Sequence, residues 1–149
     1  LPPASTAASR RISDYRLEDQ AGHLMRRAHQ RHTALFLSMM APLALTPTQF
    51  AALAKIGDLG QTTQNHLGRL TAMDQATVQG VVQRLVARGF VARKPDPADR
   101  RVMVLSLTPS GARAARAAIG RAREITRATL APLSAGERET FVDLLRKLG

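Results

Sequence analysis

The chain has 149 residues, enough for one domain with a substantial core, and its 44% apolar content argues against a disordered chain. Twenty-two lysines and arginines, 19 of them arginine, stand against 11 acids for a net charge of +11, a balance that favours polyanions, although an arginine excess equally fits a high-GC genome. The absence of cysteine excludes disulfides, thiolate zinc sites and thiol peroxide sensing, and no apolar run approaches the ~20 residues that cross a bilayer, so a soluble cytoplasmic protein without membrane association is expected.

Residues 1–12, LPPASTAASRRI, are polar and proline-bearing without the apolar centre of a secretion signal, and are expected to form a disordered tail. The alternative is that their two arginines touch phosphate. From residue 13 to 149 a single domain is expected. Ser13 or Asp14 can cap a first helix that runs to about Ala41, where Pro42 stops it. Leu24, Ala28, His32, Leu35, Phe36 and Met39 form one stripe at helical spacing, with Arg27 and Arg31 on the adjacent flank.

A histidine in such a stripe needs a partner. Either His32 donates to a backbone carbonyl in the core, or it lines a pocket beside the lobe that follows. In the second case Arg27, Arg31, His32 and Phe36 would suit a small anionic aromatic compound. The guanidinium clamps a carboxylate, the imidazole meets a ring nitrogen or hydroxyl, and the phenyl ring stacks. His29 and His32 could share a metal, but no carboxylate or cysteine at ligand spacing completes a set, so no metal and no cofactor is expected.

Thr46-Pro47-Thr48-Gln49 combines a capping box with proline at the first helical position, starting a helix through about Ile56 that ends near Gly57 and Gly60. The stretch Gly60 to Thr108 then reads as helix, tight turn, helix and charged hairpin, the order of a winged helix-turn-helix. Thr63 can cap the first of these helices, Asp74 the second, and Gly89 closes the second. Leu67 and Leu70 are expected to face inward, as are Val78, Val81, Val82 and Leu85.

The opposite face of the second helix carries Ala76, Gln79, Gly80, Gln83 and Ala87, with Thr77 and Arg84 at its margin. It is nearly uncharged, whereas a solvated helix normally shows Glu and Lys. A groove-reading helix needs short side chains where it approaches bases and amides where it reads them. Gly80 costs roughly 1 kcal/mol against alanine in a helix interior. Close approach to a base edge is one reason to keep it; packing on a neighbouring helix, with merely solvated glutamines, is the other. The expected DNA-contacting set is Thr63, Gln64, Gln75, Ala76, Thr77, Gln79, Gly80, Gln83 and Arg84.

Val91 to Lys94 and Val102 to Leu107 are short strand-forming runs joined by Pro95-Asp96-Pro97-Ala98-Asp99-Arg100-Arg101. Asp99 is close enough to orient the Arg101 guanidinium, and a narrow minor groove attracts arginine. Asp99, Arg100 and Arg101 therefore join the expected contacts, against the alternative of a solvated turn.

Thr108-Pro109 starts a long helix to about Leu130, and Ser134-x-x-Glu137 boxes a final helix to Leu148. The long helix carries Ala112, Ala114, Ala115, Ala117, Ala118 and Ala122, a surface another helix can approach closely. Arg113, Arg116, Arg121, Arg123 and Arg127 crowd it, and Glu137, Glu139 and Asp143 are the acids expected to answer them. The arginine face is expected to be structural, with phosphate contact as the alternative. Phe141, Leu144, Leu145 and Leu148 form an apolar stripe on the final helix.

These motifs together resemble the MarR-type transcriptional regulators. LTPTQFAAL at Leu45 to Leu53, the reading helix, and DPADRRVMVLSLTPSG at Asp96 to Gly111 carry the resemblance, which spans roughly Leu17 to Leu148. It implies a mainly α (α+β) fold, a winged lobe at 45–108, and dimerisation helices at 13–41 and 109–149. It also implies a homodimer whose two lobes straddle a palindrome in double-stranded DNA. Within the family, GHLMRRAHQRHTALF, from Gly22 to Phe36, resembles regulators that control nicotinic acid breakdown, which makes a hydroxylated pyridine carboxylate the implied effector. No catalytic motif is present, so an enzyme is not expected. A ligand-responsive repressor is the expected function, with an architectural or constitutive DNA-binding protein as the alternative.

Overall fold

The computed structural model describes residues 12–149. The expectation of a disordered tail thus falls, but for the exposed Ile12, outside the described residues. Helix α1 spans Ala21–Met40 with Gln20 at its N-cap, so neither Ser13 nor Asp14 starts it. A 3-10 turn at Leu17–Asp19 comes first. Ile12, Tyr15 and Leu17 are all exposed, so the preceding stretch has no buried face to hold it helical. After Met40 the chain makes a second 3-10 turn, Ala41–Leu43, closed by Ala44 in the left-handed region at φ 49.

Helix α2, Pro47–Leu59, has the expected capping box, with Gln49 N donating to Thr46 Oγ1 and Thr46 N to Gln49 Oε1, both at 3.2 Å. It continues through Gly57 and closes at Gly60, φ 78. Gly57 is inside the helix because Leu107 Cδ1 lies 3.2 Å from where a Cβ would be. A short strand, β1 (Gln61–Thr63), follows; three polar residues gave no sign of it. Its existence depends on a partner: with β2 (Val91–Pro95) and β3 (Met103–Leu107) it forms an antiparallel sheet of order β1-β3-β2, with Thr62 opposite Leu105.

Thr63 caps α3 (Gln64–Leu70), its Oγ1 accepting from His66 N at 3.3 Å. Leu67 is fully buried, but Leu70 is 44% exposed and does not face inward as expected. The buried face turns through Gly68 instead, where the returning chain donates from Met73 N to Gly68 O at 2.9 Å. A Cβ at Gly68 would lie 3.2 Å from Met73 O. Asp74 caps α4 (Gln75–Ala87), whose Val78, Val81, Val82 and Leu85 are all buried, and Gly89 at φ 74 turns the chain into β2.

Helix α5, Pro109–Leu130, starts at the Thr108 cap, and α6, Ala135–Leu148, at the Ser134–Glu137 box. Three of the small residues of α5 serve this chain's own packing: Ala115 and Ala118 are buried and Ala122 packs beside them, while Ala117 is exposed. One apolar cluster runs from Phe36 and Met40 of α1 through Ile56, Val82 and Leu105 to Ile125 of α5. The α5 arginines are not answered by α6. Arg127 pairs with Glu124 on its own helix, Asp143 with Arg146, and Glu137 is used in the Ser134 cap. Glu137 and Asp143 meet partners one turn away or less, and Glu139 makes no ion pair or side-chain hydrogen bond among the described residues, so none of the three reaches α5.

Two glycines have opposite consequences. A Cβ at Gly111 would overlap the Phe90 carbonyl oxygen, whereas one at Gly80 meets nothing within 4 Å. In urea unfolding, Gly111→Ala is expected to cost about 2 to 4 kcal/mol and Gly80→Ala to stabilise by up to about 1 kcal/mol.

Candidate nucleic-acid interface and effector groove

The buried valine stripe fixes the rotation of α4, so its other face points to solvent. Gln75, Ala76, Thr77, Gln79, Gln83 and Arg84 are exposed. Among the described residues, none of the side chains of Gln64, Gln75, Gln79, Gln83 and Arg84 has a hydrogen-bond partner. Gly80 touches no neighbouring helix, which sets aside packing as the reason for it. Thr63 and Gln64 are half-buried at the start of α3, and the Thr63 hydroxyl is already used in its cap. Asp74 Oδ1 accepts from Thr77 N at 2.7 Å, and this bond, with that of the Thr77 hydroxyl, lowers the Asp74 pKa.

The hairpin tip is held by its own bonds. Asp96 N donates to Val102 O at 2.7 Å, Ala98 N to Asp96 Oδ1 at 2.7 Å and Val102 N to Asp99 O at 2.9 Å. Arg101 forks onto Asp99, with Nε to Oδ1 at 3.0 Å and Nη2 to Oδ2 at 3.1 Å, while its backbone N also reaches Oδ1 at 3.1 Å. These bonds, the side-chain ones first, hold the Asp99 carboxyl below its usual value and raise the Arg101 guanidinium. The pair therefore persists until pH falls below the ordinary carboxylate range. The Arg101 side chain is 91% exposed, so Asp99 holds an ion-paired guanidinium in an outward position. Arg100 is exposed beside it.

A groove of about 620 Å³ opens between α1, α5 and α6. It lies among the flanking helices and not, as expected, against the winged lobe. Its walls are apolar, from Leu24, Met25 and Ala28 on α1 to Phe141, Val142 and Leu145 on α6. Its polar lining residues are His29, His32, Thr126 and Thr129. His32 Nδ1 lies 2.9 Å from Thr129 Oγ1, so its partner is a hydroxyl and not a core carbonyl. Burial, then the neighbouring His29, pushes the His32 pKa below 6.5.

Of the four residues expected to hold an effector, only His32 lines this groove. Phe36 is buried beneath it, its ring 5.9 Å from that of Phe50. Arg31 donates to Thr129 O at 2.5 Å and Ala128 O at 2.9 Å, capping the end of α5. Arg27 is exposed outside the groove.

Comparison with known proteins gives the arrangement a family. The profile of the MarR family matches residues 45–102. The transcriptional repressor NicR of Pseudomonas putida is 45% identical over 134 residues, covering 90% of this chain and 85% of that protein. The chain belongs to the MarR family. Among solved structures, a probable transcriptional regulator from Pseudomonas aeruginosa superposes with a TM-score of 0.87 at 50% identity, covering 90% of this chain and all of that one. BpsR of Bordetella bronchiseptica, whose DNA binding is regulated by 6-hydroxynicotinic acid, has a TM-score of 0.87 at 41% identity, with 91% and 97% covered. As a MarR-family protein the chain is a DNA-binding transcriptional regulator with a winged helix-turn-helix, and its structure is mainly helical with one small sheet.

Three polar groove residues of this MarR-family chain, His29, Thr126 and Thr129, were not among those expected to meet an effector. His29 was visible as the i, i+3 companion of His32, though only as a metal ligand, and among the described residues no group of three ligands forms. Thr129 had no signal, because it meets His32 from 97 residues away. The neutral form of His32 is favoured by the fold, so its contribution to stability is complete above pH 6.5 and is lost as pH falls through its lowered value. His29→Ala is expected to move the His32 NMR titration midpoint upward, towards 6.5; an unmoved midpoint would leave burial as the whole cause.

Proposed function

We propose that the chain is a homodimeric repressor that seats α4 in the major groove and the Asp96–Arg101 wing in the minor groove of a palindromic operator, and that a small aromatic acid releases it. The carrying observation is the reading face itself: unpartnered amides over a Gly80 floor, next to an arginine locked outward by Asp99. Helix face and wing are then set for base edges and minor-groove potential respectively. Half-sites one helical turn apart place symmetric helices about 34 to 36 Å from each other.

Dimerisation is supported by an unpartnered apolar stripe. Leu144 and Leu148 of α6, which do not line the groove, are exposed in the single chain. A second copy covers such a surface. Repression is supported by NicR, which is a repressor, and the effector class by BpsR, which responds to 6-hydroxynicotinic acid. The groove suits an aromatic acid of that kind, with a ring between apolar walls and the His32–Thr129 pair as a polar contact. Arg31 is already bound to α5 and Arg27 lies outside the groove, so this reading puts the ring and the His32–Thr129 pair, and not a guanidinium, at the centre of recognition.

Selection of bound duplexes from the native genome supplies the operator. On that duplex, Gln79→Ala or Gln83→Ala is expected to relax preference at particular base pairs by ~1 to 3 kcal/mol, while Arg101→Ala weakens cognate and random duplexes alike and flattens the salt dependence by about one phosphate. Equal glutamine losses on both duplexes would argue against base readout. A footprint confined to one palindrome separates a regulator from a sequence-indifferent architectural protein. Titrating 6-hydroxynicotinic acid into the complex is expected to lower operator affinity, and unchanged affinity across hydroxylated pyridine carboxylates would leave a constitutive binder.

A further inference from the structure

The corner Arg88-Gly89-Phe90, between α4 and β2, joins the reading helix to both flanking helices. On one side it is tied to the start of α5. Thr108 N donates to Phe90 O at 3.0 Å and Thr108 Oγ1 to Gly89 O at 2.6 Å. Gly111 sits so near the Phe90 carbonyl that no side chain fits there. On the other side a single guanidinium reaches the end of α1. Arg88 Nη1 donates to Ala44 O at 2.7 Å and Nη2 to Leu43 O at 3.0 Å, and the group lies 4.7 Å over the Phe90 ring.

The chemistry of this contact is specific to arginine. Leu43 and Ala44 end the turn that follows α1, where carbonyls lack helical partners and carry partial negative charge. A planar fork presents two donors to successive carbonyls in a fixed geometry, which the compact ammonium of lysine on its flexible stem does not supply. The aromatic ring beneath fixes the fork in place. Nη1 and Nη2 each donate to a protein carbonyl, which holds the group against α1's following turn and over the Phe90 ring.

We propose that Arg88 is a positioning residue for operator reading: it sets the angle of α4 against α1, and through the dimer the separation of the two reading helices. The proposal rests on the dimeric operator-binding reading above. It predicts that Arg88 governs which half-site spacing is accepted and not which bases are preferred within a half-site.

The test uses the full-length protein and the duplex selected from the genome, with one base pair inserted or deleted at its centre. Each such change moves the half-sites by ~3.4 Å and turns them by roughly 35°. Wild type is expected to lose on the order of tenfold in affinity on the altered duplexes. In Arg88→Ala that ratio is expected to collapse towards unity while base preference within a half-site is kept. Arg88→Lys, reaching one carbonyl, is expected to fall between the two, and thermal unfolding of both variants checks the fold. Equal loss on all three duplexes with the spacing ratio retained would overturn the proposal and make Arg88 a phosphate contact or a stabilising residue. Indifference of the wild type to spacing would also overturn it, because there would be no separation to hold. Half-site base preference on the same duplexes then shows whether operator reading itself survives.

Discussion

A helix reads a groove only if something else fixes its rotation, and here that is the burial of Val78, Val81, Val82 and Leu85 against the core. Each such side chain contributes about 1.5 to 3 kcal/mol when fully buried. The α4 stripe lies in the same cluster as Ile56, Leu67 and Leu105, so α2, α3 and the sheet all press on it. A turn of α4 by one residue would expose valine and bury an amide with no partner. The exposed glutamines are thus a consequence of what lies behind them, and this solvent-facing surface needs no internal hydrogen bond to stay in place.

The same division explains the arginine excess. Several arginines are spent on carbonyls at helix ends and not on acids: Arg31 on Ala128 and Thr129, Arg88 on Leu43 and Ala44, Arg121 on Met39, and Arg138 on Leu130 and Leu133. A guanidinium at a helix C-terminus is favoured by the peptide dipoles and satisfies orphan acceptors. It does so without cancelling charge. A protein that ties its helices together in this way keeps its positive balance available for a polyanion, which acid–base pairing would have removed.

Local chemistry was legible in the sequence and long-range pairing was not. Thr46, Thr63, Asp74, Thr108 and Ser134 all cap the helices they were expected to cap, because a cap bonds three residues ahead. The Asp99–Arg101 fork is equally local. By contrast, β1 exists through β3, more than 40 residues later, and polar Gln61–Thr63 carries no alternation to announce it. Leu70 looked buried by spacing, yet α3 ends there and Gly68 occupies the inner face. The expected effector set is not brought together in the groove, for the same reason. Arg31 and Phe36 share the flank and stripe of His32 on a helical wheel, but whether they meet a ligand depends on α2 and α5, which claim Phe36 and Arg31 for themselves.

Helix α1 connects the two functional regions. Its 20 residues span about 30 Å. The groove-lining positions Leu24 to His32 run from near its start to just past its midpoint, and the Arg121 and Arg88 contacts hold Met39 and the turn beyond it at the other end. A rigid rod gripped near both ends converts a tilt at one into a displacement at the other. Under the proposed function, an acid wedged beside His32 would favour one tilt, and Arg88 would pass that tilt to α4. Such coupling requires no new contact between ligand and DNA. It requires only that the groove bind the acid more tightly at one helix spacing than at the other, and the size of that difference limits how far the operator can be released.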